Sequence, residues 1–151
     1  MLITHYHSDH VGGFLTVDLL LTTHHGVSQS GSAALVHGLQ PRVVVMNNGT
    51  RKGAHIATFE TLETSPGLED LWQLHWSFIG LLEHNAPGRF IANVEDAATS
   101  SALLAAGGDV PSLGNPDHSP AYWIKVSAEA GGTFTVTNSR NGFSKTYRPR
   151  G

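Results

Sequence analysis

"VDLLLTTHHG", at residues 17–26, places a continuous apolar run directly before two histidines and a glycine. A run of this length is typical of a buried strand in an α/β protein. A second run, "RVVVMNN" at residues 42–48, is rich in β-branched side chains and continues into the loop "GTRKGAH". Both runs predict strands that end in polar, histidine-bearing loops.

Helical patterns follow each of these strands. "SQSGSAALVHGLQP" has a polar start and a proline stop, which predicts a short helix over residues 32–39. "IATFETLET" places Ile56, Phe59 and Leu62 on one face, which predicts a helix over residues 56–64. Alternating strands and helices indicate an α/β layer with parallel strands.

The remainder of the chain divides into a loop-like part and a β-rich tail. Residues 85–120 are rich in proline and glycine and are interpreted as loop, with residues 97–108 as a candidate short helix. Residues 122–148 alternate β-prone segments with a Gly-Gly turn and an Asn-Gly turn, which predicts an antiparallel meander. The predicted fold class is therefore α/β with a C-terminal antiparallel meander, in a single domain of 151 residues.

Composition narrows the classes of function. The chain has 9 basic and 12 acidic residues, 10 histidines and no cysteine. This charge balance argues against a nucleic-acid binder of the basic-patch type, and the lack of cysteine excludes disulfides and thiolate metal sites. No apolar run is long enough to span a bilayer and no signal peptide is visible, so the compartment stays open. Because histidine is the commonest metal ligand, its excess indicates metal binding.

The first residues of the chain carry the densest group of metal-binding side chains. "THYHSDHVGG", at residues 4–13, contains His5, His7, Asp9 and His10. In an extended or turning segment His5 and His7 point the same way, while Asp9 and His10 fall past the turn. One such segment can therefore serve two adjacent metal ions, an arrangement that hydrolases use.

Histidines follow the ends of three predicted strands. His5 and His7 follow a short first strand within "LITHY" at residues 2–6, His24 and His25 follow the second strand, and the loop after the third strand carries Asn47, Asn48 and His55. Because ligands bind beyond the carboxyl ends of parallel strands, we expect these loops to converge at one edge of the sheet. Neutral imidazoles and a carboxylate at such an edge suit zinc, and less commonly iron or manganese.

These motifs resemble a known family. "THYHSDHVGG" is similar to the H-x-H-x-D-H-x-G signature of the metallo-β-lactamase superfamily. "DLLLTTHHGVSQSGS" and "VVVMNNGTRKGAH" resemble one branch of it, which includes the extracellular domain of the DNA-uptake competence channel and many bacterial hydrolases. The resemblance covers residues 1–62 and implies an αββα sandwich with one or two zinc ions at one edge of its sheets.

The resemblance also implies roles for individual residues. It assigns metal binding to six residues, namely His5, His7, Asp9, His10, His24 and His25. His5 and His7 would hold the first zinc, and Asp9 and His10 the second, together with one of the two adjacent histidines, of which His24 is slightly favoured. Asp9 and His55 are the implied catalytic residues. The implied activity is that of a zinc hydrolase, in which a metal-bound hydroxide attacks an ester, phosphodiester or amide.

One departure from the family pattern makes the predicted domain incomplete. The family places on the order of a hundred residues, the size of a small domain, between the Gly-Gly pair and the strand before His-His-Gly. Here only "FLTV" separates Gly13 from Asp18. The family's third histidine and bridging aspartate fall in that interval, and its first strands are also missing. The surviving residues complete a ligand set for one zinc, so we expect weak activity.

Two alternatives to an active hydrolase stay open. In the first alternative the chain is a catalytically impaired remnant of such a hydrolase. In the second it is a non-enzymatic zinc-binding module that uses the same histidines. As a hydrolase it would act on a small-molecule or phosphodiester substrate. Because the family's missing strands would cover the sheet, we also expect an exposed apolar patch near residues 19–21 or 43–45, with self-association through it.

Overall fold

The strand β3 (Val43–Met46) lies at the centre of the protein and is buried along its whole length. The computed structural model describes residues 2–3, 17–94 and 122–150. In that part of the chain β3 is the middle strand of a five-stranded parallel sheet, whose strands follow one another in chain order. A second sheet is antiparallel and three-stranded. The protein is therefore mixed α/β with two sheets, as the sequence predicts in general terms.

The remaining elements follow the alternation expected of an α/β layer. The parallel sheet also contains β1 (Leu2–Ile3), β2 (Leu19–Leu21), β4 (Asp70–His75) and β5 (Ile91–Asn93). The helices are α1 (Ala33–Leu39), between β2 and β3, and α2 (Ile56–Glu63), between β3 and β4. The antiparallel sheet, called the meander below, consists of β6 (Ile124–Ala128), β7 (Phe134–Asn138) and β8 (Ser144–Tyr147).

The two helices cover one face of the parallel sheet. Leu20 of β2 lines a small space together with Val36 of α1 and Leu62 of α2. All three side chains are buried and belong to the same hydrophobic core. The helix α1 begins where the Ser32 hydroxyl accepts a hydrogen bond from the Leu35 amide, at 3.4 Å. Burial of the apolar stripe of each helix against the sheet therefore fixes this layer.

The meander covers the opposite face through a buried hydrogen-bonded group. The Trp72 indole N–H donates to the Tyr147 hydroxyl at 3.0 Å, and that hydroxyl donates to Asp70 Oδ2 at 2.7 Å. Lys145 donates to the same carboxylate oxygen at 2.5 Å. Asp70 and Trp72 lie two apart on β4 and so share one face, while Leu71 between them lines a groove with Phe59 of α2. The layers are therefore helices, parallel sheet and meander.

The second turn of the meander is attached to β5. The Asn138 side-chain amide donates to the carbonyls of Arg89 and Ile91, at 3.0 and 2.8 Å. Arg140 Nε donates to the Ile91 carbonyl at 3.1 Å. These contacts satisfy polar groups where the turn meets the sheet, and they hold the Arg140 side chain against the protein.

Most of the predicted elements are confirmed. Strands occur within residues 17–23 and 42–48, helices within 32–39 and 56–64, and an antiparallel meander within 122–148. The candidate helix at residues 97–108 lies outside the described residues.

Two strands were not predicted. The interpretation of residues 85–120 as loop is wrong at β5, which pairs in parallel with β4 through only two registered residue pairs. A strand of three residues is too short to show a period of its own. The strand β4 contains Asp70 and Gln73, which interrupt an apolar pattern and find their hydrogen-bond partners only in the folded protein.

The predicted apolar patch is also wrong. Leu19 and Val45 are 6% and 8% exposed, and Val43 and Val44 are fully buried. The physical reason is that the meander packs on the face of the sheet that the helices leave uncovered, and residues of both sheets form one core. Self-association of the chain stays a prediction. Within the described part of the chain, no helix is long and apolar enough to cross a membrane.

The Tyr147 contact predicts how stability depends on alkaline pH. Burial, reinforced by the hydrogen bond to Asp70, raises the pKa of the Tyr147 phenol well above its ordinary value. In the unfolded chain this phenol ionises near pH 10. Above that pH, loss of the proton therefore lowers the free energy of the unfolded state and not that of the folded state. The free energy of unfolding should therefore fall as pH rises from about 10 to about 11, and Tyr147→Phe should reduce that fall.

Urea unfolding followed by tryptophan fluorescence across this pH range measures the effect. Tyr122→Phe is the matched control, because Tyr122 is exposed. The control should keep the pH dependence of the wild type. A Tyr147→Phe variant with the same pH dependence as the wild type would contradict the predicted shift.

Candidate functional site

Three loops meet at the carboxyl edge of the parallel sheet. They follow β2, β3 and β4 and comprise residues 22–27, 47–55 and 76–80, called the carboxyl-edge loops below. The Ala54 amide donates to the His25 carbonyl at 2.9 Å, which joins the first loop to the second. The Phe78 amide donates to the Thr50 carbonyl at 3.0 Å, which joins the second loop to the third. The loops therefore form one hydrogen-bonded surface, as the parallel strand order requires.

The first of these loops contains an unusual turn. His24, His25 and Gly26 have φ angles of 45°, 60° and 76°, so two histidines and a glycine adopt left-handed backbone in succession. This conformation costs a non-glycine residue roughly 1–2 kcal/mol and persists only where surrounding contacts impose it. The Thr22 amide, which donates to the Val45 carbonyl at 3.0 Å, fixes the start of the turn. Such strain is typical of functional loops.

Gly53 is in direct contact with this turn. Its φ is +77°, and a Cβ added there would lie 1.8 Å from the His25 carbonyl oxygen. No side chain fits between the two loops at this point, so the second loop approaches the first as closely as backbone allows. The His55 amide continues the contact by donating to the Gly26 carbonyl at 2.9 Å. The shape of the histidine turn therefore depends on a glycine far away in the sequence.

The His25 imidazole is held by the end of β3. Its Nδ1 lies 2.9 Å from the Asn47 carbonyl oxygen, which only accepts hydrogen bonds. This contact requires the proton on Nδ1, and in the neutral ring it therefore places the lone pair on Nε2. Metal-binding histidines are oriented in this way, with the other ring nitrogen bonded to a carbonyl or carboxylate. The half-buried His25 side chain therefore has the tautomer that a metal ligand needs.

A buried hydroxyl fixes Asn47 in turn. Thr22 Oγ1 donates to Asn47 Oδ1 at 2.9 Å and accepts from the Asn47 amide at 3.4 Å. Thr22 is buried, so these bonds are shielded from water. Neither role is predicted from the sequence. The only sign of these roles in the sequence is where the two residues stand: Thr22 lies just before the histidine pair, and Asn47 directly follows β3.

Neighbouring polar residues tie the ends of β3 and β4 together. The Asn48 side-chain amide, fully buried, donates to the His75 carbonyl at 2.8 Å. The two adjacent asparagines therefore have different roles. Asn47 holds the histidine turn, and Asn48 holds the start of the third loop. This pairing depends on strand order and has no signature in the local sequence.

The other two predicted histidines lie at the same edge. His24 is exposed, and its ring centre lies 6.1 Å from that of His25. His55 is half-buried at the start of α2, where its carbonyl accepts from the amides of Thr58 and Phe59, each at 3.0 Å. The structure thus places His24, His25 and His55 on adjoining loops of one edge.

The remaining predicted site residues, His5, His7, Asp9 and His10, lie outside the described residues. Within residues 17–94 and 122–150, no three histidine, aspartate or glutamate side chains come together closely enough to hold a metal ion. The described part of the edge therefore supplies at most a portion of a metal site. Searches against protein-family models, curated proteins and solved structures find no match to this chain. Membership of the metallo-β-lactamase superfamily accordingly stays a prediction from sequence motifs.

The contact between Gly53 and His25 can be tested by adding one methyl group. Gly53→Ala should destabilise the protein by about 2 kcal/mol or more beyond the cost of left-handed backbone, because the new Cβ would overlap the His25 carbonyl oxygen. Gly142→Ala is the matched control, since Gly142 has a φ of +69° and no described atom within 4 Å of the added Cβ. The control should cost only about 1–2 kcal/mol.

Chemical denaturation of both variants measures the difference. Gly53→Ala should also change the His25 ring resonances in an NMR spectrum, whereas Gly142→Ala should leave them in place. Equal destabilisation by the two substitutions would show that the close contact is absent.

Proposed function

We propose that this protein is a zinc-dependent hydrolase of the metallo-β-lactamase type, with its metal site at the carboxyl-edge loops. The observation that carries the proposal is the hydrogen bond between His25 Nδ1 and the Asn47 carbonyl, at 2.9 Å. This bond leaves Nε2 available as a ligand atom on a strained loop beyond the end of a parallel strand. The sequence motif at residues 4–13 also supports a zinc-dependent hydrolase.

Within this proposal the ligand from the histidine pair is His25. The sequence slightly favours His24, but the His25 ring is half-buried and held by a carbonyl, whereas the His24 ring is exposed. An oriented ligand loses less side-chain entropy when it binds a metal. We assign Asp9 and His10 as its partners, on the strength of the sequence motif alone.

The chain's own residues have three tasks in the reaction. A bound zinc ion, or a pair of them, supplies Lewis acidity and lowers the pKa of a water molecule. His25 would be one of the residues that hold that ion, and the Asn47 carbonyl keeps the His25 tautomer fixed. We assign proton transfer to Asp9 and His55. The backbone of His55 is bonded directly to the histidine turn, through its amide and the Gly26 carbonyl. The substrate class is an ester, phosphodiester or amide.

Paired substitutions of the two adjacent histidines test this assignment. Asparagine tolerates left-handed backbone, so His25→Asn and His24→Asn remove an imidazole while sparing the turn. His25→Asn should lower zinc affinity by about 100-fold or more, while His24→Asn should change it by less than about threefold. Competition with a chromophoric chelator measures the affinity, and metal analysis of the dialysed protein gives the stoichiometry.

Turnover separates a hydrolase from a zinc-binding module. The zinc-loaded protein should hydrolyse bis-p-nitrophenyl phosphate slowly, and His25→Asn should abolish that activity. Stoichiometric zinc without turnover would instead favour the non-enzymatic module or the impaired remnant. A wild-type protein that binds no zinc would overturn the proposal, and a larger effect of His24→Asn would reassign the ligand.

A further inference from the structure

The strand β6 is an edge strand of the meander, whose strand order is β6-β7-β8. Just before β6 the Trp123 carbonyl accepts from an amide that follows β7, at 3.0 Å, and just after β6 the Glu129 amide donates to a carbonyl that precedes β7, at 2.8 Å. Hydrogen-bonded residues alternate along an antiparallel pair, so the odd-numbered residues of β6 bond to β7. The backbone N–H and C=O groups of Ile124, Val126 and Ala128 therefore point to the open edge. In residues 2–3, 17–94 and 122–150 these groups have no hydrogen-bond partner.

Apolar side chains of β6 are exposed although they lie on the face of the meander that packs on the parallel sheet. Val126 is directly opposite Val136 of β7, so the two side chains share that face. Val136 is fully buried, whereas Val126 is 37% exposed. Ala128 is exposed as well, although it lies opposite the buried Phe134. The strand β6 therefore extends beyond the parallel sheet, and the described part of the chain leaves its apolar face partly uncovered.

Large hydrophobic side chains are also concentrated at this edge. The described part of the chain exposes six of them, and three lie within residues 122–126, namely Tyr122, Trp123 and Val126. Aromatic residues are enriched at interfaces between proteins, and exposed apolar side chains that lie together mark such interfaces. The edge at β6 therefore has both unpaired backbone groups and the side chains of an interface.

The other edge strand of the meander, β8, is used for packing within the chain. Its last residue, Tyr147, is buried, and its Lys145 bonds to Asp70 of the parallel sheet. Just after β8 the Arg148 carbonyl accepts a hydrogen bond from the Arg42 guanidinium. Of the two edges of the meander, the one at β6 is therefore the one that lacks such contacts in the described part of the chain.

We propose that β6 pairs antiparallel with β6 of a second copy of this chain, about a two-fold axis at Val126. In this register the two Val126 residues lie directly opposite each other, and Ile124 of each copy lies opposite Ala128 of the other. Each outward-facing N–H then meets a C=O of the partner strand, and the two meanders form one continuous sheet. A two-fold pairing of this kind is the commonest symmetry of protein oligomers. The inference goes beyond the proposed function and does not rest on it.

The pattern of charge and backbone groups favours this register and a second copy as the occupant. A two-fold axis at Lys125 would place the two lysines directly opposite each other, which destabilises a strand pair. An axis at Ser127 would leave Ile124 opposite a residue beyond the end of the strand. With the axis at Val126, every outward-facing residue is paired. Lys125, the one charged residue of β6, then lies opposite Ser127 of the partner subunit.

Sedimentation velocity of the EDTA-treated full-length chain tests the interface without relying on metal or turnover. One strand pair buries less than the roughly 1,000 Å² of a stable complex, so we expect a reversible dimer with a dissociation constant of about 10–100 μM. Val126→Pro should raise this constant by about tenfold or more, because proline removes the N–H group at the two-fold axis. The substitution removes no hydrogen bond to β7, so the fold should persist, and thermal melting checks it.

Thr146→Pro is the matched control for the proline substitution. The amide that begins the last turn of the meander bonds the Phe143 carbonyl to Asn138, at 2.9 Å, so by alternation the Thr146 N–H points away from β7 at the opposite edge. The control therefore removes the same kind of group from the other edge strand and should leave the dissociation constant of the dimer unchanged.

Charge substitutions at Val126 test the register. Val126→Lys and Val126→Glu should each weaken the dimer by about tenfold or more, because like charges would lie directly opposite each other at the two-fold axis. An equimolar mixture of the two variants should restore a dimer about as tight as that of the wild type, because opposite charges then meet. Only a register in which position 126 faces position 126 gives this result.

The inference is overturned if the wild type is monomeric at about 1 mM, if Val126→Pro dimerises as tightly as the wild type, or if the mixture of charge variants stays monomeric. Hydrogen exchange of the Val126 amide should slow as protein concentration rises. Protection that does not depend on concentration would show that another part of the same chain occupies the edge, and would also overturn the inference. None of these results bears on zinc binding or hydrolysis, and absence of zinc binding would leave the dimer measurement intact.

Discussion

The hydrogen bonds that join Tyr147 to Trp72 and Asp70 connect the two sheets of this protein, and the other features depend on that connection. They place the meander on the face of the parallel sheet that the helices leave open. Only with both faces covered can strands as apolar as β2 and β3 be buried. A rigid β3 in turn fixes the position of Asn47, whose carbonyl orients the His25 ring. Packing on one side of the sheet thus determines side-chain geometry at its edge.

The elements that could be predicted from sequence are those whose signal is local. The apolar runs of β2 and β3, the helical spacing of Ile56, Phe59 and Leu62, and the two turns of the meander are all visible within short windows. The strand β4 was missed because its polar residues break the pattern. Asp70 bonds to Tyr147, which is 77 residues away, and the Gln73 side chain accepts from the Ala86 amide. Partners at such separations cannot be inferred from the strand itself.

The same distinction applies to the candidate site. Strand ends predicted where His24, His25 and His55 would gather, because parallel strands bring their carboxyl ends to one edge. The resemblance to the family slightly favoured His24, although nothing in "THHG" itself distinguishes the two adjacent histidines. What distinguishes them is the backbone carbonyl of Asn47, which follows β3 and holds the His25 ring. That contact is a tertiary feature and leaves no mark in the motif.

The contact between the loop at residues 47–55 and the histidine turn also has a consequence for how that turn is held. Left-handed histidines are unfavourable by themselves, and the amides that hydrogen-bond to the turn, those of Ala54 and His55, follow α1 and β3 in the chain. The turn is therefore held by a long-range contact between the two loops. By the same reasoning, fluctuations that lift the loop at residues 47–55 would release the turn while the sheet stays intact.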